Sequence, residues 1–507
     1  MTFDEILSLV GDFGPYQEWI FLLLCVPASL PTAASLFNHI FISAVPEHRC
    51  HPPISSVKAL ILNRSLAAHE DYLRVLYTLF IPREASGRFS QCVHYDIDIN
   101  SVVDQVIAQS NHPNSSSVES FVARNRWPVV KCQNGWDYDT TQYSETLASK
   151  MDVVCDLAWW ISATQSAFYA GGMIGCPVFG RMSDKWGRRP AFLLSLAVMI
   201  SGNIAETFPH NYFAYAIIRF IVGLSFPSVF NLSFLIESPR WLISQGRTDE
   251  AEIILQYMAS TNGIHLPPTL LKEKLTSQHS TSGLPREDDS SEVDMVHLFK
   301  FPAVSGRLIV LSIVWAITAI VYTGMSFGVS DLVSEPRLPF LSTAVAEIPG
   351  VFFGWFAMGR YGRKGTILGT MSFNGILSLA VAFIPEGFTV LLILILSLAK
   401  LSVSATFTVI YLFAGELFPT VIRGLALGVA TTMSQGGLVL APYILLLGTL
   451  YGRNVPFVIF GLLAILATVL LMTLPETLDA PLPTTMQEAE NYQEFIERER
   501  RKKALSA

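Results

Sequence analysis

Long apolar runs alternate along this chain with short charged turns. The runs occupy residues 19–44, 159–179, 190–208, 212–236, 308–327, 340–358, 366–383, 389–413, 425–450 and 455–474. Each is close to the ~20 residues that a helix needs to cross a hydrocarbon core of ~30 Å, so the pattern predicts about ten membrane helices. The densest turn, Gly180-Arg-Met-Ser-Asp-Lys-Trp-Gly-Arg-Arg189, has a weaker echo at Gly359-Arg-Tyr-Gly-Arg-Lys364. Two similar turns at matching places predict two similar halves, whereas either turn alone would be an ordinary basic loop. Gly180 and Gly187 are expected to let the backbone turn tightly, and Asp184 to meet an arginine or a helix N-terminus.

An even number of spans puts both termini on one side. Arg181, Lys185, Arg188, Arg189, Arg240, Arg247, Arg360, Arg363, Lys364, Arg423 and the 498–503 cluster fall on that side, which the retention of positive loops makes the cytosol. The expected organisation is a cytosolic N-terminus (1–18), a first helix (19–44), a long outer loop (45–156) and the remaining helices of the first half (157–236). A cytosolic connector (237–306) with an amphipathic stretch at 249–257, a six-helix second half (307–474) and a cytosolic tail (475–507) follow.

Composition sharpens this picture. Of 507 residues, 51% are hydrophobic and 15% charged, well below the ~25% charge of soluble domains, so the chain reads as a polytopic membrane protein. The first run is long, interrupted by proline and preceded by an acidic segment, so it reads as a membrane helix and not as a cleaved leader. With 34 basic and 41 acidic residues the net charge is −7, and the scattered basic residues argue against nucleic acid as a partner. No nucleophile–base pair, metal cluster or phosphate-binding loop is visible, which argues against an enzyme, a cofactor and direct ATP drive. Four of the six cysteines, Cys50, Cys92, Cys132 and Cys155, share the outer loop with sequons at Asn63 and Asn114. That set predicts a glycosylated extracellular loop with two disulfides in one of three pairings, the alternative being a disordered loop with free thiols.

The spacing Gly-x3-Asp-Lys-x-Gly-Arg-Arg at 180–189 resembles the signature loop of the major facilitator superfamily. Further stretches resemble one branch of it, the solute carrier 22-like carriers of organic cations, organic anions and carnitine-like zwitterions. These are Cys132-x3-Trp136-x-Tyr138-Asp139, Asp152-x2-Cys155-Asp156, Arg219-Phe-x2-Gly223, Glu237-Ser-Pro-Arg-Trp-Leu242, Glu416-Leu-Phe-Pro-Thr-x2-Arg423, Pro475-Glu-Thr477 and Pro483-x-Thr485. The resemblance implies an all-α polytopic membrane protein with the major facilitator fold of two pseudo-repeat halves. It also implies alternating access in the plasma membrane, a small organic ion as substrate and, as an open choice, a co-transported ion. One departure matters. The fourth run leads directly into Ser233-Phe-Leu-Ile-Glu237, so the fifth and sixth of the family's twelve helices are absent, and Ile236 replaces a proline. Losing a pair preserves the topology but removes packing partners. The alternative reading is therefore a shortened, transport-incompetent form, retained in the endoplasmic reticulum or acting on other membrane proteins.

Ionisable side chains inside membrane helices are costly enough to be functional candidates. By resemblance Glu347 matches an acidic position of the family's eighth helix and Lys400 a basic position of its tenth; the two could pair, and the plainer role for Glu347 is a structural salt bridge. Glu347→Gln is expected to impair uptake of cations more than surface abundance. Trp315 and Tyr322 lie two turns apart on one face, and Phe407, Thr408 and Tyr411 cluster on another helix. The resemblance puts these in a cavity where an ammonium group could lie over aromatic faces, although aromatics in membrane helices more often face lipid or core. By resemblance Gln435 occupies a position where cation carriers tend to have Asp and anion carriers Arg; its neutral amide carries no charge preference, which weakens both simple assignments and favours zwitterions or weakly selective cation transport. Gly180, Asp184, Lys185, Gly187, Arg188, Arg189, Arg360, Arg363, Glu416 and Arg423 are expected to lock the cytosolic ends. Arg219 joins them as a conformational residue near a helix end, with packing as its plainer role.

Overall fold

The computed structural model describes residues 10, 14–20, 26–54, 69–83, 87–109, 115–125, 127–209, 211–231, 239, 242, 247–264, 300–329, 337–385, 387–419, 422–478, 480, 482–483, 486–492, 494 and 496. The sequons at Asn63 and Asn114 and the 232–238 junction lie outside the described residues. The chain divides into two compact units, 37–161 and the remainder.

The smaller unit is the predicted outer loop, and it is folded. Its helices α2 (His69–Phe80), α3 (Ile99–Gln109) and α4 (Ser115–Asn125) are accompanied by two antiparallel pairs, β1 (His48–Cys50) with β4 (Trp136–Tyr138) and β2 (Val93–Tyr95) with β3 (Val129–Lys131). Leu79, Phe80, Ile99, Val103 and Val118 form a buried core. Of the three pairings left open by the sequence, the structure has Cys50–Cys132 and Cys92–Cys155, which close segments 82 and 63 residues apart. Tying strands across such separations removes chain entropy from the unfolded state, which a core this small needs.

In the larger unit the described parts of the predicted apolar runs fall mainly on helices. α1 is Val26–Ile42, α5 Trp159–Trp186, α6 Arg188–Ala205 and α7 Tyr212–Asn231; the connector helix α8 is Thr248–Thr261. The second half comprises α9 (Pro302–Gly328), α10 (Arg337–Tyr361), α11 (Arg363–Val381), α12 (Thr389–Leu417), α13 (Arg423–Leu438), α14 (Ala441–Tyr451) and α15 (Val455–Leu471). Five described helical stretches are long and apolar enough to cross a membrane, 212–229, 302–328, 338–361, 389–417 and 423–451. α10 exposes Leu341, Val345, Ile348, Phe352, Trp355 and Phe356 along one side, as a helix does when lipid replaces water on that face.

The charged turns are tighter than their sequence suggests. α5 runs on through Gly180, Asp184 and Lys185 to Trp186, and only Gly187 turns, at φ 98° and ψ 163°. In the second half α10 continues through Gly359 and Arg360, and Gly362 turns at φ 85° and ψ 167°. Both are positive-φ positions that favour glycine, and both precede an arginine that opens the next helix. The expected role for Gly180 as a turn residue is thus corrected: the helix hydrogen-bond ladder passes through it, so it imposes no bend. The matching geometry at 187 and 362 is the structural form of the repeat.

Close helix crossings explain the glycines elsewhere in the first half. A Cβ at Gly175 would lie 1.9 Å from the Leu224 carbonyl oxygen, and one at Gly223 would lie 1.9 Å from that of Phe168. Neither backbone can yield, so α5 and α7 touch only because these positions lack side chains. Gly175→Ala is expected to cost about 1–3 kcal/mol through overpacking, whereas Gly180→Ala, which meets nothing within 4 Å, should be neutral. Melting temperatures of the two solubilised variants check this.

Candidate functional site

The same device in the second half brings the two candidate charges together. Gly350 and Gly354 on α10 face the backbone of Leu401 and Ala405 on α12, where an added Cβ would lie 2.5 and 2.9 Å from carbonyl oxygens. At that separation Glu347, one turn before Gly350, reaches Lys400. Lys400 Nζ lies 2.9 Å from Glu347 Oε1 and donates to Ser326 Oγ at 2.5 Å and to the Tyr322 carbonyl oxygen at 3.2 Å. Nζ also lies 3.3 Å from the centre of the Tyr322 ring, and the Tyr322 hydroxyl donates to Glu347 Oε2 at 2.9 Å. The two charges are not equally sheltered: the Lys400 side chain is 1% exposed and that of Glu347 30%. Every donor of the ammonium is therefore consumed inside the protein, while the carboxylate keeps an open side.

Aromatic rings extend from this pair. Tyr322 and Phe407 have ring centres 5.1 Å apart, Phe407 and Tyr411 5.7 Å, and Trp315 meets Tyr411 edge-on at 4.7 Å. Trp315 is fully buried, so it backs Tyr411 and does not itself present a face to an open space. Thr408 is partly buried and donates to the Ser404 carbonyl oxygen at 3.0 Å. The first half closes on this region through α5: Ser166 Oγ donates to the Val439 carbonyl oxygen at 2.8 Å, and Ser162 Oγ to that of Pro442 at 3.1 Å. Gln435 Oε1 is buried without a hydrogen-bond partner among the described residues, and a Cβ at Gly172 of α5 would come within 3.0 Å of it. The neutral amide therefore sits where the two halves touch.

A second cluster lies at the far end of the second half. Arg363 Nη2 and Nε reach Glu416 Oε1 at 2.9 and 3.2 Å, and the Thr477 hydroxyl donates to Glu416 Oε2 at 2.6 Å. Glu476 caps α11, accepting from the backbone N–H of Arg363 at 2.9 Å, Lys364 at 3.4 Å and Gly365 at 3.2 Å. Arg423, expected to belong to the same lock as Glu416, has buried Nε and Nη2 atoms with no partner among the described residues. Glu416 is engaged by Arg363 instead, because Gly362 turns α11 so that its first side chain faces α12. Burial pushes the Glu476 carboxyl up, but the N–H groups of Leu478, Gly365, Thr477 and Arg363 outweigh it and hold the group below its ordinary 4.5. A carboxylate lowered in this way stabilises the fold above its unfolded value, and that contribution disappears as pH falls through the folded one. The melting-temperature gap between wild type and Glu476→Gln is expected to be steady near neutrality and to close below about pH 4.

Arg219 is not near a helix end. It lies two turns inside α7, fully buried, with Nη1 3.3 Å from Glu206 Oε1 and 3.2 Å from the Ser35 carbonyl oxygen, and Nη2 3.1 Å from Gln165 Oε1. One guanidinium thus joins α1, α5, α7 and the residue that ends α6, and its carbon lies 4.9 Å from the centre of the Phe168 ring. Sequence reasoning missed Ser326, Thr477 and Glu476 as working residues. Ser326 was accessible, since it lies one turn after Tyr322 on the same face; Glu476 and Thr477 were visible only as a motif.

The chain is similar to known carriers over almost its whole length. Organic cation transporter 1 of Caenorhabditis elegans is 30% identical over 551 aligned positions, covering 97% of this chain and 88% of the relative. Organic cation/carnitine transporter 2 of Homo sapiens is 24% identical, covering 96% and 93%. A family profile described as "Sugar (and other) transporter" matches residues 92–229. Among solved structures, the proton:xylose symporter XylE has a TM-score of 0.47 at 16% identity, over 66% of this chain and 89% of that chain. The chain belongs to the major facilitator superfamily and, within it, to the solute carrier 22 family of organic cation and carnitine transporters, a family of carriers and not of enzymes.

Proposed function

We propose that this membrane protein carries small organic cations or carnitine-like zwitterions by alternating access at the Glu347 region. The observation that carries the reading is the unequal exposure of its ion pair. An entering solute meets the open side of a carboxylate and the rings of Phe407 and Tyr411, while the balancing ammonium is sealed behind Tyr322 and Ser326. Cations over aromatic faces gain about 0.5–2 kcal/mol per contact, and the neutral Gln435 adds no charge that would favour an anion. In this reading the protein sits in the plasma membrane, with the 45–156 unit outside and both termini in the cytosol. Arg363, Glu416 and Thr477 fasten the inward end of the second half between cycles.

A shortened, transport-incompetent form retained in the endoplasmic reticulum is the second reading. The alignment to the nematode relative is 551 positions long against a chain of 507, so the relative carries residues this chain lacks. The family profile also ends at residue 229, beside the junction where the fifth and sixth helices are expected to be missing. Uptake of a labelled quaternary amine, a carnitine-like zwitterion and an aromatic carboxylate, each normalised to surface-biotinylated protein, separates the readings. Saturable uptake of the first two supports the carrier. Surface protein without uptake, or no surface protein, supports the shortened form.

A further inference from the structure

The short helix α16 (Met486–Glu490) and the adjoining Tyr492 dock onto the N-terminus of α9, a contact that the substrate region does not require. Glu490 accepts the backbone N–H of Ala303 at 2.9 Å and of Val304 at 3.1 Å, placing a carboxylate on the positive end of the helix. Arg307, one turn into α9, donates to the carbonyl oxygens of Ala489 and Glu490 and lies 5.6 Å from the centre of the Tyr492 ring. Ala489 and Tyr492 are each 1% exposed. Burial, followed by the field of Glu416, pushes the Tyr492 phenol up to about 12, with Arg307 opposing and Glu476 adding to the rise.

We infer that Tyr492 is a phosphorylation site whose modification releases this tail from α9. In the step, a protein tyrosine kinase transfers the γ-phosphoryl group of ATP to Tyr492 Oη. The O–H bond breaks as the new P–O bond forms, and ADP and a proton leave. A ring sealed to 1% cannot enter a kinase, so the enzyme acts on the fraction of molecules whose tail is undocked. Glu488, Glu490 and Glu494 flank the tyrosine in the sequence with acidic side chains, and Glu490, held by α9 in the docked form, is freed only in that state. Once modified, the side chain carries about −1.5 to −2 charges. Its bulk and charge do not fit the site that seals the Tyr492 ring to 1% exposure, in which Arg307 is taken up by the carbonyls of Ala489 and Glu490 and the Glu490 carboxylate is close by. Modification thus removes the undocked form from the equilibrium and draws the docked form after it.

The site rests on the cytosolic placement of the tail proposed above, and its test is independent of transport. The full chain in detergent micelles is incubated with a recombinant tyrosine kinase domain, magnesium and ATP. Phosphate on Tyr492 is followed by mass spectrometry, and hydrogen exchange is followed at 303–307 and 486–492. Glu490→Gln, which loses charge-assisted bonds to α9, is expected to be modified about tenfold faster than wild type. Modified wild type is expected to exchange about tenfold faster at Ala303 and Val304 as their partner leaves. Tyr492→Phe should keep slow exchange under the same treatment. Equal rates for wild type and Glu490→Gln, or unchanged exchange after modification, would overturn the inference. Lack of Tyr492 phosphate in pervanadate-treated cells, with the purified chain readily modified, would overturn the tail's cytosolic placement and the site with it.

Discussion

Glu347→Gln is expected to destabilise the protein by about 3–5 kcal/mol, more than Lys400→Met, even though the two residues form one ion pair. The asymmetry follows from exposure. Without Glu347, the Lys400 ammonium at 1% exposure keeps the Ser326 hydroxyl, the Tyr322 carbonyl and the Tyr322 ring face but no opposite charge, and its own charge is left buried. Without Lys400, the Glu347 carboxylate at 30% exposure can take up water or a proton, so the penalty is smaller. The double variant Glu347→Gln/Lys400→Met removes both charges and should recover most of the stability lost by Glu347→Gln alone. Cation uptake should stay absent in the double variant, because the open carboxylate has gone. Melting temperatures of solubilised protein, with uptake normalised to surface abundance, read both halves of this expectation. A double variant no more stable than Glu347→Gln would mean that the two charges do not couple.

This changes an expectation from sequence alone, in which Glu347→Gln lowers uptake more than abundance. Both ionisable residues were legible as costly groups in apolar runs, and so was the idea that they meet. The direction in which each is sheltered was not, because it depends on Gly350 and Gly354 setting the α10–α12 distance and on Ser326 arriving from α9. The same limit explains the lock. Glu416 and Arg423 share a motif and were expected in one lock, but the motif does not say which side chain meets Glu416. The turn at Gly362 instead delivers Arg363, a choice fixed by the backbone of a different helix. The tail contact was illegible for another reason: a short acidic helix reads as a solvated end, and only the buried Tyr492 and the Glu490 carboxylate on the N-terminus of α9 reveal its partner. The helices of the described residues were readable, since a period-free apolar run of membrane length has few other solutions.

Arg219→Met is expected to be the most damaging single change in the first half, eliminating surface protein. That half holds its helices together with few resources, and one guanidinium supplies hydrogen bonds to α1, α5 and the end of α6 at once. Its loss strands Glu206, whose side chain is 5% exposed, and leaves the Ser35 carbonyl and the Gln165 amide oxygen without this donor. Breaking a buried pair in this way costs about 3–5 kcal/mol, and the lost bond to the buried Gln165 amide oxygen adds about 1–3 kcal/mol, a large part of the ~5–15 kcal/mol that holds a domain together. Arg219→Lys should rescue little, since a single ammonium cannot span partners arranged around a planar fork. Arg219→Met/Glu206→Gln should recover part of the loss, because the stranded carboxylate is gone while the bonds to Ser35 and Gln165 stay lost. Surface biotinylation of the three variants decides the matter. Normal surface levels for Arg219→Met would show that the half does not depend on this knot. A Lys variant at wild-type levels would show that charge alone, without the fork, is enough.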